Sequence, residues 1–320
     1  MLNQMKERKF IAKPFIKWAG GKGRLLDQIE RKLPADFDEW KEVTYIKPFI
    51  GGGSMLFHML QNHPNITHAV TNDINVNLIN CYKAVKEVPE QLIEQLKEFE
   101  QKYLSLELKE QKQLFLSWRE SYNNIRISDD IVKKSVLFIA LNKTCFNGLY
   151  RVNSSGNFNT SFGKNLKPCI CDAETIRRDS DLLQDVEIDC GDYEQTLEDI
   201  DARHKIFFYF DPPYRPLNKT SSFNHYDKGG FDDEEQKRLK RFCDKIDRKG
   251  FSFMLSNSDG KTNGGTDDFM DKLYSDYHID RVSIGRCINS DPAKRGKITE
   301  ILVRNYDNIK ENKFKEIKLF

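Results

Sequence analysis

Asp211-Pro212-Pro213-Tyr214 follows directly on the apolar run Ile206-Phe207-Phe208-Tyr209-Phe210. The run has the composition of a buried strand, and the proline pair stops it abruptly. Neither proline carries an N–H, and each holds the residue before it extended. The Pro212 carbonyl is thereby expected to face a cleft with no neighbouring donor to claim it. Asp211 adds a second acceptor, and Tyr214 a flat π surface with a polar end. Two acceptors and one aromatic face suit a planar heterocycle bearing an exocyclic amine, whose hydrogens are accepted while the ring is stacked. The plain alternative is a stiff turn, because Asp-Pro is an ordinary turn starter. A cofactor site and a nucleic-acid surface elsewhere in the chain would decide for chemistry on a nucleobase nitrogen.

A second constellation supplies the cofactor site. Pro48-Phe49-Ile50-Gly51-Gly52-Gly53-Ser54 reads as a strand-to-helix turn with Ser54 as N-cap. Glycines there permit positive φ and let a ligand approach backbone N–H groups. Asp73 ends the next strand 22 residues after Gly51, near the ~20-residue separation at which an acid meets ribose hydroxyls. The pyrophosphate pattern Gly-x-Gly-x-x-Gly is absent. So is a phosphate-cradling loop, since Lys22 is followed by Gly23. A ribose-binding acid without a phosphate loop favours a nucleoside cofactor, S-adenosyl-L-methionine above all.

These segments need strands and helices to hold them. Phe15 to Trp18 reads as a short strand, Leu25 to Leu33 as a helix stopped by Pro34, Val43 to Phe49 and Ile66 to Thr71 as strands. From about Asn75 to Lys143 the apolar spacing is helical, broken early by Pro89. Cys145 to Gly163 then alternates turn formers with β-capable pieces and reads as a hairpin carried on helices. Strand–helix alternation resumes with Val186 to Cys190, Lys205 to Phe210, a helix capped by Asp232 or Asp233, Phe251 to Ser256, and a closing pair at Tyr277 to Ile284 and Ile298 to Val303. The expected architecture is an α/β, Rossmann-like, doubly wound sheet with a helical insertion. A catalytic and cofactor domain formed by 1–75 and 169–320 would enclose a recognition domain at 76–168.

The chain of 320 residues can bury a substantial core; 12% aromatic and 31% charged residues suit a folded, soluble protein. Net charge is only +2, so binding a polyanion requires charge segregated onto one face. Seven cysteines show no metal-ligand spacing, and their scatter points to reduced thiols in a cytoplasm. No apolar stretch approaches the ~20 residues of a membrane span.

Taken in order, Lys17-Trp18-Ala19-Gly20-Gly21-Lys22, Pro48-Phe49-x-Gly51-x-Gly53-Ser54, Asn72-Asp73-Ile74-Asn75, Phe146-Asn147-Gly148-Leu149-Tyr150-Arg151 and Asp211-Pro212-Pro213-Tyr214 resemble the bacterial and phage DNA adenine-N6 methyltransferase family. The resemblance runs from about Lys13 to Asn305. It implies that Trp18, Lys22, Phe49, Asp73 and Asp211 line the S-adenosylmethionine site, that Gly51 and Gly53 approach the methionine part, and that Asp192 lies near the cofactor adenine. It implies a hairpin entering the major groove of double-stranded DNA, with Asn147, Tyr150 and Asn153 along it. Arg151 would read a guanine 5′ to the target adenine, and Lys17 a second base. Thr220 and Ser221, in the stretch after the catalytic residues, would contact phosphates, as would Arg295 and Lys297 near the C-terminus.

Two positions depart from the family pattern. Lys47 stands where an acid commonly precedes the Pro-Phe. Thr160-Ser161 stands before Phe162-Gly163 where GATC-specific members often carry Val-Pro. The expected target is therefore a short site containing GA, with GATC one candidate, and a restriction endonuclease acting on the same site is a possible partner. The chemistry needs no metal. The catalytic residues alone would also tolerate cytosine N4 or a glutamine amide, so methylation of an RNA base or protein amide is the competing reading. An inactive DNA-binding protein is the third.

Overall fold

The computed structural model describes residues 11–126, 130–198, 200–215, 231–284 and 298–311. Among them, seven strands form one sheet: β1 (Val43–Lys47), β2 (Ile66–Asp73), β3 (Val186–Cys190), β4 (Lys205–Phe210), β5 (Ser252–Ser258), β6 (His278–Ile284) and β7 (Ile298–Arg304). Their order is β3-β2-β1-β4-β5-β7-β6. The first five run parallel, with Tyr45 opposite both Ala69 and Phe207; β7 is antiparallel to β5 and β6. A parallel sheet is covered on both faces, so its strands read as continuous apolar runs. In β4, Phe207 and Tyr209 enter one core, while Phe208 and Phe210 enter the other.

Helices α1 (Leu26–Glu30), α2 (Ser54–Asn62), α3 (Val76–Glu87) and α7 (Ala173–Leu183) border the first core, and α8 (Asp233–Arg248) and α9 (Phe269–Leu273) the second. The helical block divides into α3, α4 (Pro89–Leu104), α5 (Leu108–Asn124) and α6 (Ile131–Thr144). Pro89 is the first residue of α4, where its missing N–H costs nothing. Asn75 caps α3 by accepting from Asn77 and Leu78 N–H; Asp130 caps α6 and Asp232 caps α8 in the same way. Helix α3 packs on β2, β3 and α7 as well as on α4 and α6, so the helical block and the sheet share one core. Among the described residues no helix is long and apolar enough to cross a membrane.

Three local expectations are corrected. Phe15 to Trp18 is a loop: the Lys17 N–H donates to Asn142 Oδ1 (2.8 Å), and Asn142 Nδ2 donates to the Lys17 carbonyl (2.8 Å). A buried side chain of α6 thus satisfies the backbone that a neighbouring strand would otherwise serve. Strand β1 ends at Lys47 because Pro48 cannot extend the ladder. The N-cap of α2 is Gly53, in the left-handed region at φ 81°, and Ser54 is the first helical residue.

Candidate active site

The sheet order reverses between β1 and β4, so the loops after these two strands meet over one crevice, where ligands of open α/β sheets bind. That crevice is a cleft of about 760 Å³. Its walls include Trp18, Lys22, Phe49, Gly51, Gly53, Asp73, Asp192 and all of Asp211 to Tyr214. Segments far apart in sequence are thus brought to one cleft. The walls also include Lys47, which the sequence marks as a departure from the family pattern, and Tyr193, Phe231, Arg238 and Glu300, which the sequence did not single out.

The turn after β4 is held from behind. Gln236 of α8 donates to the Pro213 carbonyl (3.3 Å) and accepts from Asn257 Nδ2 of β5 (3.0 Å). Ser258 Oγ donates to the Arg215 carbonyl (2.9 Å), while the Arg215 guanidinium binds Asp233 and Asp267. Among the described residues no donor reaches the Pro212 carbonyl, which leaves that acceptor to a ligand.

Lys22 is the hub of the cleft and is only 2% exposed. Its ammonium lies 2.7 Å from Asp211 Oδ1, 3.5 Å from Glu300 Oε2 and 3.1 Å from the Gly20 carbonyl. It also donates to the Tyr214 hydroxyl and sits 4.4 Å from that ring's centroid. Tyr214 in turn donates to Glu300 Oε2 at 2.5 Å. Burial pushes the Glu300 carboxyl above its ordinary range and the Tyr214 phenol well above its own. One ammonium therefore serves two carboxyl groups. Glu300 was hidden in the sequence by its strand, although an acid between Ile298 and Ile301 was the available signal.

The glycine turn is constrained by protein as well as by any ligand. The Gly51 N–H donates to Asp73 Oδ2 (3.2 Å), the Asn75 N–H donates to Asp73 Oδ1 (3.0 Å), and the Tyr82 hydroxyl donates to the Gly51 carbonyl (3.0 Å). A Cβ on Gly53 would lie 2.5 Å from Tyr82 Oη and 2.9 Å from Phe57. Phe49, Tyr193 and Phe231 form an aromatic wall with centroids 5.2 to 6.4 Å apart. Asp192 faces Arg238, which donates to both of its oxygens at 2.7 and 2.8 Å. Burial alone would raise the Asp192 carboxyl; these bonds and the Glu194 N–H outweigh it and hold the pKa low. Lys47 is buried at the end of β1 with its ammonium on the Phe49 carbonyl (2.6 Å), and burial lowers its pKa to about 8.

The expected nucleic-acid residues divide. Antiparallel bridges Cys145–Phe162 and Val152–Phe158 establish a short hairpin. Lys17, Asn147, Arg151 and Asn153 are exposed on or beside it. Arg151 Nε donates to Asn159 Oδ1 (2.8 Å). Asn153 Oδ1 accepts from Ser155 N–H (3.1 Å) and Asn157 N–H (2.9 Å), which shapes the hairpin tip. Tyr150 departs from the expected surface position: it is 8% exposed, stacked 5.7 Å from Trp18 and packed on Phe138 and Phe158. Its length and apolar body make it the link between hairpin and cleft wall. Thr220, Ser221, Arg295 and Lys297 lie outside the described residues.

Comparison with known proteins accords with this arrangement. The family model of D12 class N6 adenine-specific DNA methyltransferases matches residues 18–286. The chain is 44% identical to the type II methyltransferase M.MjaIII of Methanocaldococcus jannaschii, over 92% of this chain and 99% of that one. It is 36% identical to the type II methyltransferase M1.LlaDCHI of Lactococcus lactis subsp. cremoris, over 96% and 100%. It is 31% identical to a DNA adenine methylase of Vibrio cholerae, over 90% and 94%. With its acceptor turn, glycine loop and hairpin in the family's order, the chain belongs to the D12 class of N6 adenine-specific DNA methyltransferases.

Proposed function

We propose that the enzyme takes its methyl group from S-adenosyl-L-methionine and acts on an adenine rotated out of a short duplex site containing GA. The observation that carries this reading is the cleft in which Asp211, the Pro212 carbonyl and Tyr214 share one space with Asp73, the glycine turn and the Lys22–Glu300 cluster. The residues fit such a cofactor. Asp73 is placed for ribose hydroxyls, Phe49, Tyr193 and Phe231 for a flat base, and an ammonium shared by two carboxyls leaves acidity to face a cationic sulfonium. Asp192 would meet the cofactor adenine through the edge that Arg238 leaves, and Trp18 would close the wall beside Gly51. When bound, the cofactor supplies an electrophilic methyl group.

The chain supplies placement. Asp211 Oδ2, which among the described residues carries no hydrogen bond, and the Pro212 carbonyl accept the two amine hydrogens. This directs the nitrogen lone pair towards the methyl group and stabilises charge that develops on nitrogen. Tyr214, tethered through its hydroxyl to Lys22 and Glu300, offers its ring to the base. Duplex DNA hides the adenine amine, so the base must leave its stack at a cost of a few kcal/mol (order of magnitude). Residues 76–168 would form the recognition part, with Lys17, Asn147, Arg151 and Asn153 facing the groove. A bidentate contact from Arg151 to guanine is worth roughly 1–3 kcal/mol of discrimination. At the position of the family's Val-Pro, Thr160 is buried, its hydroxyl donating to the Leu149 carbonyl; this leaves Ser161 to meet DNA. GATC is one candidate site. That two relatives are named type II methyltransferases favours a restriction endonuclease as the cognate partner.

The test is to map N6-methyladenine in DNA from methylation-deficient cells expressing the protein, with transfer of labelled methyl groups measured on duplex DNA and RNA in competition. One short GA-containing site and preference for DNA are expected. Asp211→Ala should lower turnover by at least ~10²-fold, the scale for loss of one transition-state contact. Near-normal turnover in that variant would refute the role of Asp211.

A further inference from the structure

At the N-terminal edge of the sheet, opposite the cleft, three potential ligand atoms converge. Asp38 lies just before β1 and His63 just before β2, while His58 projects from α2 and Glu30 ends α1. His58 Nε2 lies 3.1 Å and His63 Nε2 3.0 Å from the same oxygen, Glu30 Oε2. All three atoms fall within 4.8 Å of one another. The other ring nitrogen of His63, Nδ1, lies 2.7 Å from Asp38 Oδ1. A neutral imidazole has one N–H and one lone pair. Both nitrogens of His63, which is 98% buried, face carboxylate oxygens, so the neutral ring has a single proton to offer the two of them. Two carboxylates and the Lys310 ammonium, 2.7 Å from Glu30 Oε1 and 2.7 Å from Asp38 Oδ2, leave one negative charge uncompensated if both histidines are neutral.

We propose that Glu30, His58 and His63 form a binding site for a divalent first-row transition ion, zinc being the best match. Glu30 Oε2 and the two Nε2 atoms supply the oxygen and nitrogen ligands that zinc takes at about 2.0–2.2 Å, and a water completes a tetrahedron. Asp38 accepts the Nδ1–H of His63 and so turns the Nε2 lone pair towards the ion, the outer-sphere arrangement typical of metal-bound histidine. Asn62 Nδ2 lies 3.2 Å from His58 Nδ1 and donates to the His58 carbonyl (2.8 Å). Lys310 stays on the outer carboxylate oxygens and neutralises them without occupying the convergence point. The ion would pin α1, α2 and the turn before β2 together, remote from the residues that hold the methyl acceptor.

The test uses the full chain stripped with a chelator. Zinc is titrated in competition with a chromogenic chelator, and cobalt serves as a spectroscopic probe. One ion per chain is expected, with a tetrahedral cobalt spectrum lacking a thiolate charge-transfer band and a rise in melting temperature on saturation. His58→Gln, at a partly exposed position, should weaken binding at least tenfold and leave methyl transfer to DNA unchanged. Asp38→Asn should weaken binding about 10–100-fold while sparing every direct ligand. Absence of stoichiometric binding would mean an ion-pair cluster only. Affinity unaltered in both variants, or a thiolate band, would place the ion elsewhere and overturn the assignment.

Discussion

At the scale of single residues, the cleft depends on how one buried lysine distributes its charge. Lys22 reaches Asp211 and Glu300 and also holds Tyr214, so each acceptor's behaviour depends on the others. Glu300→Gln keeps the shape and an acceptor for the Tyr214 hydroxyl but removes a carboxyl that faces the cleft. The expected result is about tenfold weaker binding of the proposed cationic cofactor, roughly 1.4 kcal/mol, with a smaller effect on its neutral demethylated product. Calorimetric titration of both ligands checks this, and equal losses for the two would mean that Glu300 is a packing residue. Arg151 sits at the proposed DNA surface, its Nε donating to Asn159 Oδ1. Arg151→Ala is expected to lower the preference for one guanine by about 5–150-fold, the equivalent of roughly 1–3 kcal/mol, while methyl transfer to the best remaining sites persists. Substrates varied one base at a time measure this. An unchanged preference would remove the hairpin from the recognition surface.

At the scale of elements, strands with both faces buried were readable, because an unbroken apolar run such as Ile206 to Phe210 has few other uses. The ends of elements were readable where proline, asparagine or aspartate gave a chemical reason, as at Pro48, Pro89, Asn75 and Asp232. What could not be read was pairing by side chains from distant segments. Phe15 to Trp18 has strand composition, yet Asn142 claims its backbone; Asn142 Nδ2 also donates to the Gly148 carbonyl (2.9 Å) and so ties the Trp18 loop to the hairpin. Glu300 entered the site only through the closing strand pair, and Tyr150 is buried by its stacking on Trp18 and Phe138. Helix α7 carries a similar hidden feature. Asp179 is fully buried, accepting the Lys13 N–H at 3.2 Å. Its Oδ2 has no hydrogen-bond partner among the described residues, and burial raises its pKa to about 8. An unfolded chain releases this proton near pH 3.8, so between about pH 4 and 8 the folded state binds more protons, and stability falls as pH rises. Asp179→Asn removes that dependence. Its stability relative to the parent should improve by a few kcal/mol (order of magnitude) from pH 5 to pH 8 in urea unfolding, and a constant difference would show that Asp179 ionises freely.

At the scale of the whole molecule, a net charge of only +2 cannot draw DNA in by bulk attraction, so recognition must come from local placement on the sheet's scaffold. The cleft wall is drawn from residues 18–22, 47–55, 72–75, 191–193, 211–214, 231–232, 234–235, 238 and 300, which means from both halves of the sheet and from the loop clamped by the helical block. A ligand lying across the switch point therefore touches segments whose relative positions exist only in the folded chain. Such a ligand binds the native state alone, and at a hundred times its dissociation constant it adds about 2.7 kcal/mol to stability. S-adenosylhomocysteine at that concentration should raise the melting temperature by several degrees in scanning calorimetry, and it should move one transition as a whole. Asp73→Ala should abolish the shift, because Asp73 fixes the Gly51 and Asn75 N–H groups as well as facing the proposed ribose. A shift that survives in Asp73→Ala would place the ligand away from the glycine turn. A thermogram in which only part of the protein responds would mean that the helical block unfolds independently of the sheet, against the continuous packing of α3 on α6, β2 and β3.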